Sequence, residues 1–150
     1  MTAGRGSSGA ASLAERIKAR ALEIGFDDAG VARVGPLEAQ ERYQAWLAAG
    51  YQGEMAYLGS PRHRERRADP DRILPGIRSV VCVALCYAPG TDPERDRRRG
   101  RIARYAVGED YHRVMRERLR ALERFVRDEL PGTNVLGYSD TGAILERGWA

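Results

Sequence analysis

Apolar positions recur with a helical period in two long stretches and crowd into one continuous run between them. Leu13, Ile17 and Ile24 hold one face of a helix that Ser12 and Glu15 open as a capping box and Gly25 ends. Val114, Met115, Leu119, Leu122 and Phe125 predict a long helix over about 110–130, stopped by Pro131 and Gly132. The run 79–87 is the most apolar of the chain and predicts a central strand covered on both faces. A short strand is expected over 28–34. Gly35 and Pro36 break it and seed a helix over 37–49, with Tyr43, Trp46 and Leu47 inward and Gly50 to Gly53 as its stop. Val135 to Tyr138 predicts another strand, and Gly142 onward a last helix. Residues 60–72 are charged and proline-broken, and 88–101 are rich in glycine, proline and charge. Helices alternate with strands, so the expected class is α/β, with helices packed on a mixed sheet.

Length and composition narrow this to one domain. A chain of 150 residues supports a single core. Met1 to Ala11 is a small-residue tail expected to be disordered, leaving 12–150 as the folded part. No apolar run approaches a membrane span, and residues 1–11 lack the apolar core of a signal peptide. Cys82 and Cys86 would share one strand face roughly 13 Å apart, at about 3.3 Å per residue, too far to bond. They read as buried, reduced thiols.

The net charge is +4, and Lys18 is the single lysine among 25 basic residues. Guanidinium binds phosphate bidentately, so this bias suits a nucleic-acid partner without requiring one. The arginines cluster at Arg62, Arg64, Arg66 and Arg67, and again at Arg97, Arg98, Arg99, Arg101 and Arg104. Either cluster reads as a solvated loop or as a phosphate contact. No glycine-rich phosphate loop, serine nucleophile elbow or zinc-ligand spacing is present.

Two polar segments carry candidate chemistry. Asp140, in an Asp-Thr-Gly turn, reads either as the N-cap of the last helix or as a proton donor at a strand-to-helix turn. Capping stabilises its charged form, whereas an acid role needs a large apolar ligand lying over it. Asp110 reads as the N-cap of the long helix. His112 is one of only two histidines, and without further ligand-spaced His or Cys it argues against a metal site.

Four segments occur in an order that resembles the N-terminal part of the epoxyqueuosine reductase family. They are Gly50 to Leu58, Arg66 to Pro70 with Leu74 and Pro75, Arg104 to His112, and Asp140 to Arg147. The resemblance implies a cobalamin-binding core related to nitroreductases, followed by a ferredoxin-like domain with two 4Fe–4S clusters. The cluster cysteines are absent here, so the resemblance implies a fragment whose sequence stops inside the cobalamin-binding domain and which is inactive alone. It implies Asp140 as proton donor, with Arg67, Ala103 and Asp140 at the corrinoid and Arg104, Tyr105, Asp110, Tyr111 and His112 at the substrate. It further implies a cytoplasmic enzyme, monomeric when complete, served by an electron donor and acting on the tRNA anticodon loop that carries epoxyqueuosine. Its reaction would be reduction of the epoxide to an alkene, the last step of queuosine biosynthesis. A non-catalytic RNA- or partner-binding α/β module is the alternative from another class. A reductive dehalogenase-like corrinoid enzyme is a third reading.

Overall fold

Ser12 opens the first helix, α1 (Leu13–Ile24), where its hydroxyl oxygen accepts from the Glu15 N–H at 3.3 Å. Gly25 closes that helix at φ +104°, a left-handed conformation that costs glycine nothing. The computed structural model describes residues 11–87, 100, 102–106, 108–140 and 142–150. The expected disordered tail, apart from Ala11, and Arg97, Arg98, Arg99 and Arg101 lie outside the described residues.

After α1 come β1 (Asp28–Arg33), α2 (Glu38–Ala48), α3 (Pro61–Ala68), β2 (Ser79–Ala84), α4 (Tyr111–Glu129) and α5 (Glu146–Trp149). Short 3-10 turns occupy Ala56–Gly59, Pro70–Arg72 and Arg104–Ala106. The strands pair antiparallel, from Asp28 opposite Ala84 to Arg33 opposite Ser79. Helices therefore pack on a sheet, as an α/β chain should. Among the described residues, however, that sheet is one antiparallel pair, where a mixed sheet with a central strand was expected. β2 has a single partner because the other candidate strand never joins it.

α1 packs against both α4 and β1. Ile17, Ala21, Phe26 and Leu122 are buried where they meet, and Val81, Val83 and Leu85 pack against them from the sheet. Val81 and Val83 alternate along β2, as the two-residue period of a strand requires, and Leu85 follows just past its end. Ala21 has no exposed surface, and its small side chain lets α4 approach closely. α5 packs on β2, and its Trp149 is buried. Among the described residues no helix is long and apolar enough to cross a membrane.

Several expectations are corrected by backbone hydrogen bonding. The strand expected over 135–138 forms no ladder, because side chains of α4 take its polar groups. The Gly137 N–H donates to Glu123 Oε1 at 2.5 Å, and Arg127 donates to the Val135 carbonyl at 2.9 Å. The last helix starts at Glu146 and not at Gly142. The charged stretch 60–72 contains α3, with Ser60 as N-cap and Pro61 in the first turn. Cys82 is half-buried, and burial pushes its thiol pKa up; Cys86 is exposed, where a buried thiol was expected. The strand ends at Ala84, and the Cys86 N–H donates instead to Asp27 Oδ2 at 2.6 Å.

Candidate active site

The first turn of α4 and the loop before α5 meet at three polar side chains. Asp110 caps α4, accepting from the His112 N–H at 3.0 Å, as its sequence position suggested. The same carboxylate oxygen faces His112 Nδ1 at 2.9 Å. The other ring nitrogen, Nε2, faces Asp140 Oδ1 at 3.2 Å. Ionised carboxylates only accept, so with Asp110 and Asp140 both charged the two contacts form together only when both ring nitrogens carry protons. The arrangement therefore favours the imidazolium. Its pKa is raised above the ordinary 6.5, first by the hydrogen bond to Asp110 and further by the Asp140 charge. The same bond lowers the Asp110 pKa.

Asp140 accepts a second hydrogen bond, from the Tyr111 hydroxyl. This contact pushes the Tyr111 pKa up to about 12, because ionising the phenol would set two negative oxygens against each other. Asp140 has φ +43°, the single positive φ outside glycine among the described residues. Its side chain caps no helix: the N-cap of α5 is Leu145. Its backbone N–H donates to Glu146 Oε1 at 3.1 Å, which ties the loop to the start of α5. The proton-donor reading of Asp140 is compatible with this geometry, and the capping reading is not. Sequence reasoning had assigned Glu146 no role, although it falls in the same motif six residues on.

An aromatic row leads outward from this cluster. Tyr111 stacks on His112 at 4.1 Å between centroids, Tyr105 meets Tyr111 edge-on at 5.9 Å, and Tyr87 meets Tyr105 edge-on at 6.3 Å. Tyr105 and Tyr87 are exposed, as are Ile102 and Ala103 beside them in the chain. Tyr87 had no role in the sequence reading, since it looked like the end of a strand. The Arg104 side chain lies outside what the structure describes. Arg67 makes its contacts elsewhere. Its guanidinium donates to the Tyr43 hydroxyl at 2.7 Å and lies over the Tyr43 ring, while Tyr43 donates to the Leu58 carbonyl at 2.6 Å. Arg67 Nε is buried without a hydrogen-bond partner.

Gly142 keeps the Asp140 loop close to the chain before it. A Cβ at Gly142 would overlap the Tyr138 ring, a rigid neighbour that cannot swing aside as a long side chain would. Gly142→Ala is therefore expected to destabilise by about 1–3 kcal/mol, the usual cost of overpacking. Faster amide exchange across 137–146 than in α4 would check it; unchanged exchange would show that the ring has room to move.

The family model described as "Epoxyqueuosine reductase QueG, DUF1730" matches residues 67–141, half of the chain, and spans α4 and Asp140. The chain belongs to the epoxyqueuosine reductase family. The epoxyqueuosine reductase of Gloeobacter violaceus is 44% identical over 149 residues, covering 93% of this chain and 43% of that relative. A crystal structure of epoxyqueuosine reductase with an epoxyqueuosine-modified tRNA-Tyr stem loop matches with a TM-score of 0.74 at 29% identity, over 89% of this chain and 36% of that one. The Bacillus subtilis epoxyqueuosine reductase, solved with an aspartate-bearing catalytic loop swung out of its active site, matches with a TM-score of 0.66 at 26% identity, over 89% and 36%. The chain thus spans less than half the length of each of these epoxyqueuosine reductases.

Proposed function

We propose that this chain provides the acid-bearing part of an epoxyqueuosine reductase, which reduces the epoxide of epoxyqueuosine in a tRNA anticodon loop to the alkene of queuosine. The observation that carries the reading is the Asp140 carboxylate, fixed in a left-handed loop by two donors from the start of α4. The relative with an aspartate on its catalytic loop, and the relative solved with a modified tRNA stem loop, support it. The reaction consumes two electrons and two protons and releases water. Asp140 protonates the departing oxygen. Being partly exposed here, it needs substrate and cofactor above it to exclude water and hold its proton near neutral pH.

Arg104, Tyr105, Asp110, Tyr111 and His112 take the substrate side, where exposed tyrosine rings offer stacking faces to an unpaired base. Arg67 and Ala103 take the edge of a cobalamin site together with Asp140. The residues present suit that role: Arg67 Nε is a buried donor in want of an acceptor, and Ala103 exposes a small surface. Bound cobalamin would supply the electron pair. An iron–sulfur cluster does not fit this chain, because 4Fe–4S ligation takes four thiolates and the sequence has two cysteines. Electrons for the cofactor would come from a donor outside these residues, and the enzyme would work as a cytoplasmic monomer.

The test uses the native gene product, supplied with cobalamin, a chemical reductant and tRNA carrying epoxyqueuosine. Nucleoside analysis should show queuosine formed. Failure to convert the tRNA with cobalamin bound would overturn the reading.

A further inference from the structure

We propose that His112 is a positioning residue that recharges Asp140 with the second proton of the reduction, so that Asp110, His112 and Asp140 act as a relay. This rests on the epoxide-reducing function proposed above. Epoxide oxygen leaves as water, so two protons must reach one oxygen, and a single carboxylic acid carries one. Asp140 has two neighbours that could refill it, Tyr111 and His112. A phenol whose pKa is pushed up to about 12 keeps its proton near neutral pH. Tyr111 therefore orients the carboxylate. His112 does not share that constraint. Its Nε2 lies 3.2 Å from Asp140 Oδ1, its Nδ1 is held 2.9 Å from Asp110, and its side chain is 37% exposed, open to refilling from water.

The step balances without any further reactant. The Asp140 O–H bond breaks as an O–H bond forms on the departing oxygen. The His112 Nε2–H bond then breaks as one forms on Asp140 Oδ1, and Asp140 passes this second proton on to complete the water. The neutral imidazole takes a proton from solvent. Bound cobalamin would supply the electron pair of the proposed reaction. The groups that bear on His112 are Asp110 and Tyr111 on its own turn and Asp140 from the facing loop. Arg116 acts on Asp110, Tyr105 on Tyr111, and Glu146 holds the Asp140 backbone.

The first test needs no turnover. The chain has two histidines, His63 and His112, so ring NMR signals can be followed through pH individually. His112 should remain protonated above pH 6.5, its ordinary value, and Asp110→Asn, which preserves the cap, should bring its titration down. The second test is the pH–rate profile of the native gene product. Because the folded His112 pKa is raised, turnover should hold through pH 6.5 and fall as pH rises through the raised value. In His112→Gln that limb should no longer follow the raised histidine value, and turnover should be lower by about tenfold or more. A His112 that titrates at or below its ordinary value overturns the relay, and so does a limb that stays in place in His112→Gln. Absence of epoxide reduction by the wild type, with the NMR titration as expected, would instead refute the underlying function and the relay with it.

Discussion

Asp140→Asn is expected to lower turnover by about 10²–10⁴-fold, the usual contribution of a positioned general acid, while leaving the fold intact. Asparagine is the informative replacement because of the backbone. At φ +43° most L residues are strained, whereas Asn and Asp tolerate the left-handed region through local hydrogen bonding. Its amide oxygen still accepts from Tyr111 or His112 but carries no acidic proton. Stability should therefore change by about 0.5 kcal/mol or less, the ordinary range for a surface substitution. Asp140→Ala should lose turnover too, and should also cost about 1–2 kcal/mol from the left-handed backbone. Single-turnover conversion of modified tRNA, paired with urea unfolding, separates the two effects. Near-wild-type turnover in the Asn variant, with cobalamin bound, would remove the acid role.

Leu122→Ala should cost about 2–5 kcal/mol, the range for truncating a large aliphatic side chain in a core. Leu122 is 5% exposed and is α4's buried contribution to the cluster with Ile17, Ala21 and Phe26. So small a buried set among the described residues gives little to spare against a typical total of about 5–15 kcal/mol. The urea midpoint should fall sharply with little change in slope. α4 also carries Tyr111 and His112 in its first turn, so a loosened helix should shift the His112 ring signals as well. A loss under about 1 kcal/mol would mean that the cavity collapses without penalty, contrary to the usual behaviour of close-packed cores.

The helices were legible where one face is apolar and the ends are marked. Ser12 and Gly25 bound α1, and Asp110 and Pro131 bound α4 closely, because caps and breakers act over three or four residues and need no partner elsewhere. α3 was missed, although Ser60 and Pro61 carried the same kind of signal, because its charges suggested a loop. The segment 135–138 was misread for a different reason. Its apolar residues suit a strand, but strand formation depends on a partner edge, and Glu123 and Arg127 reach its backbone first.

The candidate site divides along the same line. Residue types, local spacing and the family resemblance were enough to single out Asp110, His112 and Asp140, and to place Asp110 as a cap. Asp110 and His112 are two residues apart, within reach of one helix turn. His112 and Asp140 are 28 residues apart, and nothing in their spacing says that they meet. Their meeting depends on a loop whose backbone is held by Glu123, Glu146 and the room that Gly142 leaves for Tyr138. The sequence by itself determined the capped helices α1 and α4 and the chemistry available, because propensity, capping and hydrophobic period are local. Only the tertiary structure decided which donors hold Asp140 and that it caps no helix, because those contacts exist only once α4 and the loop are packed together.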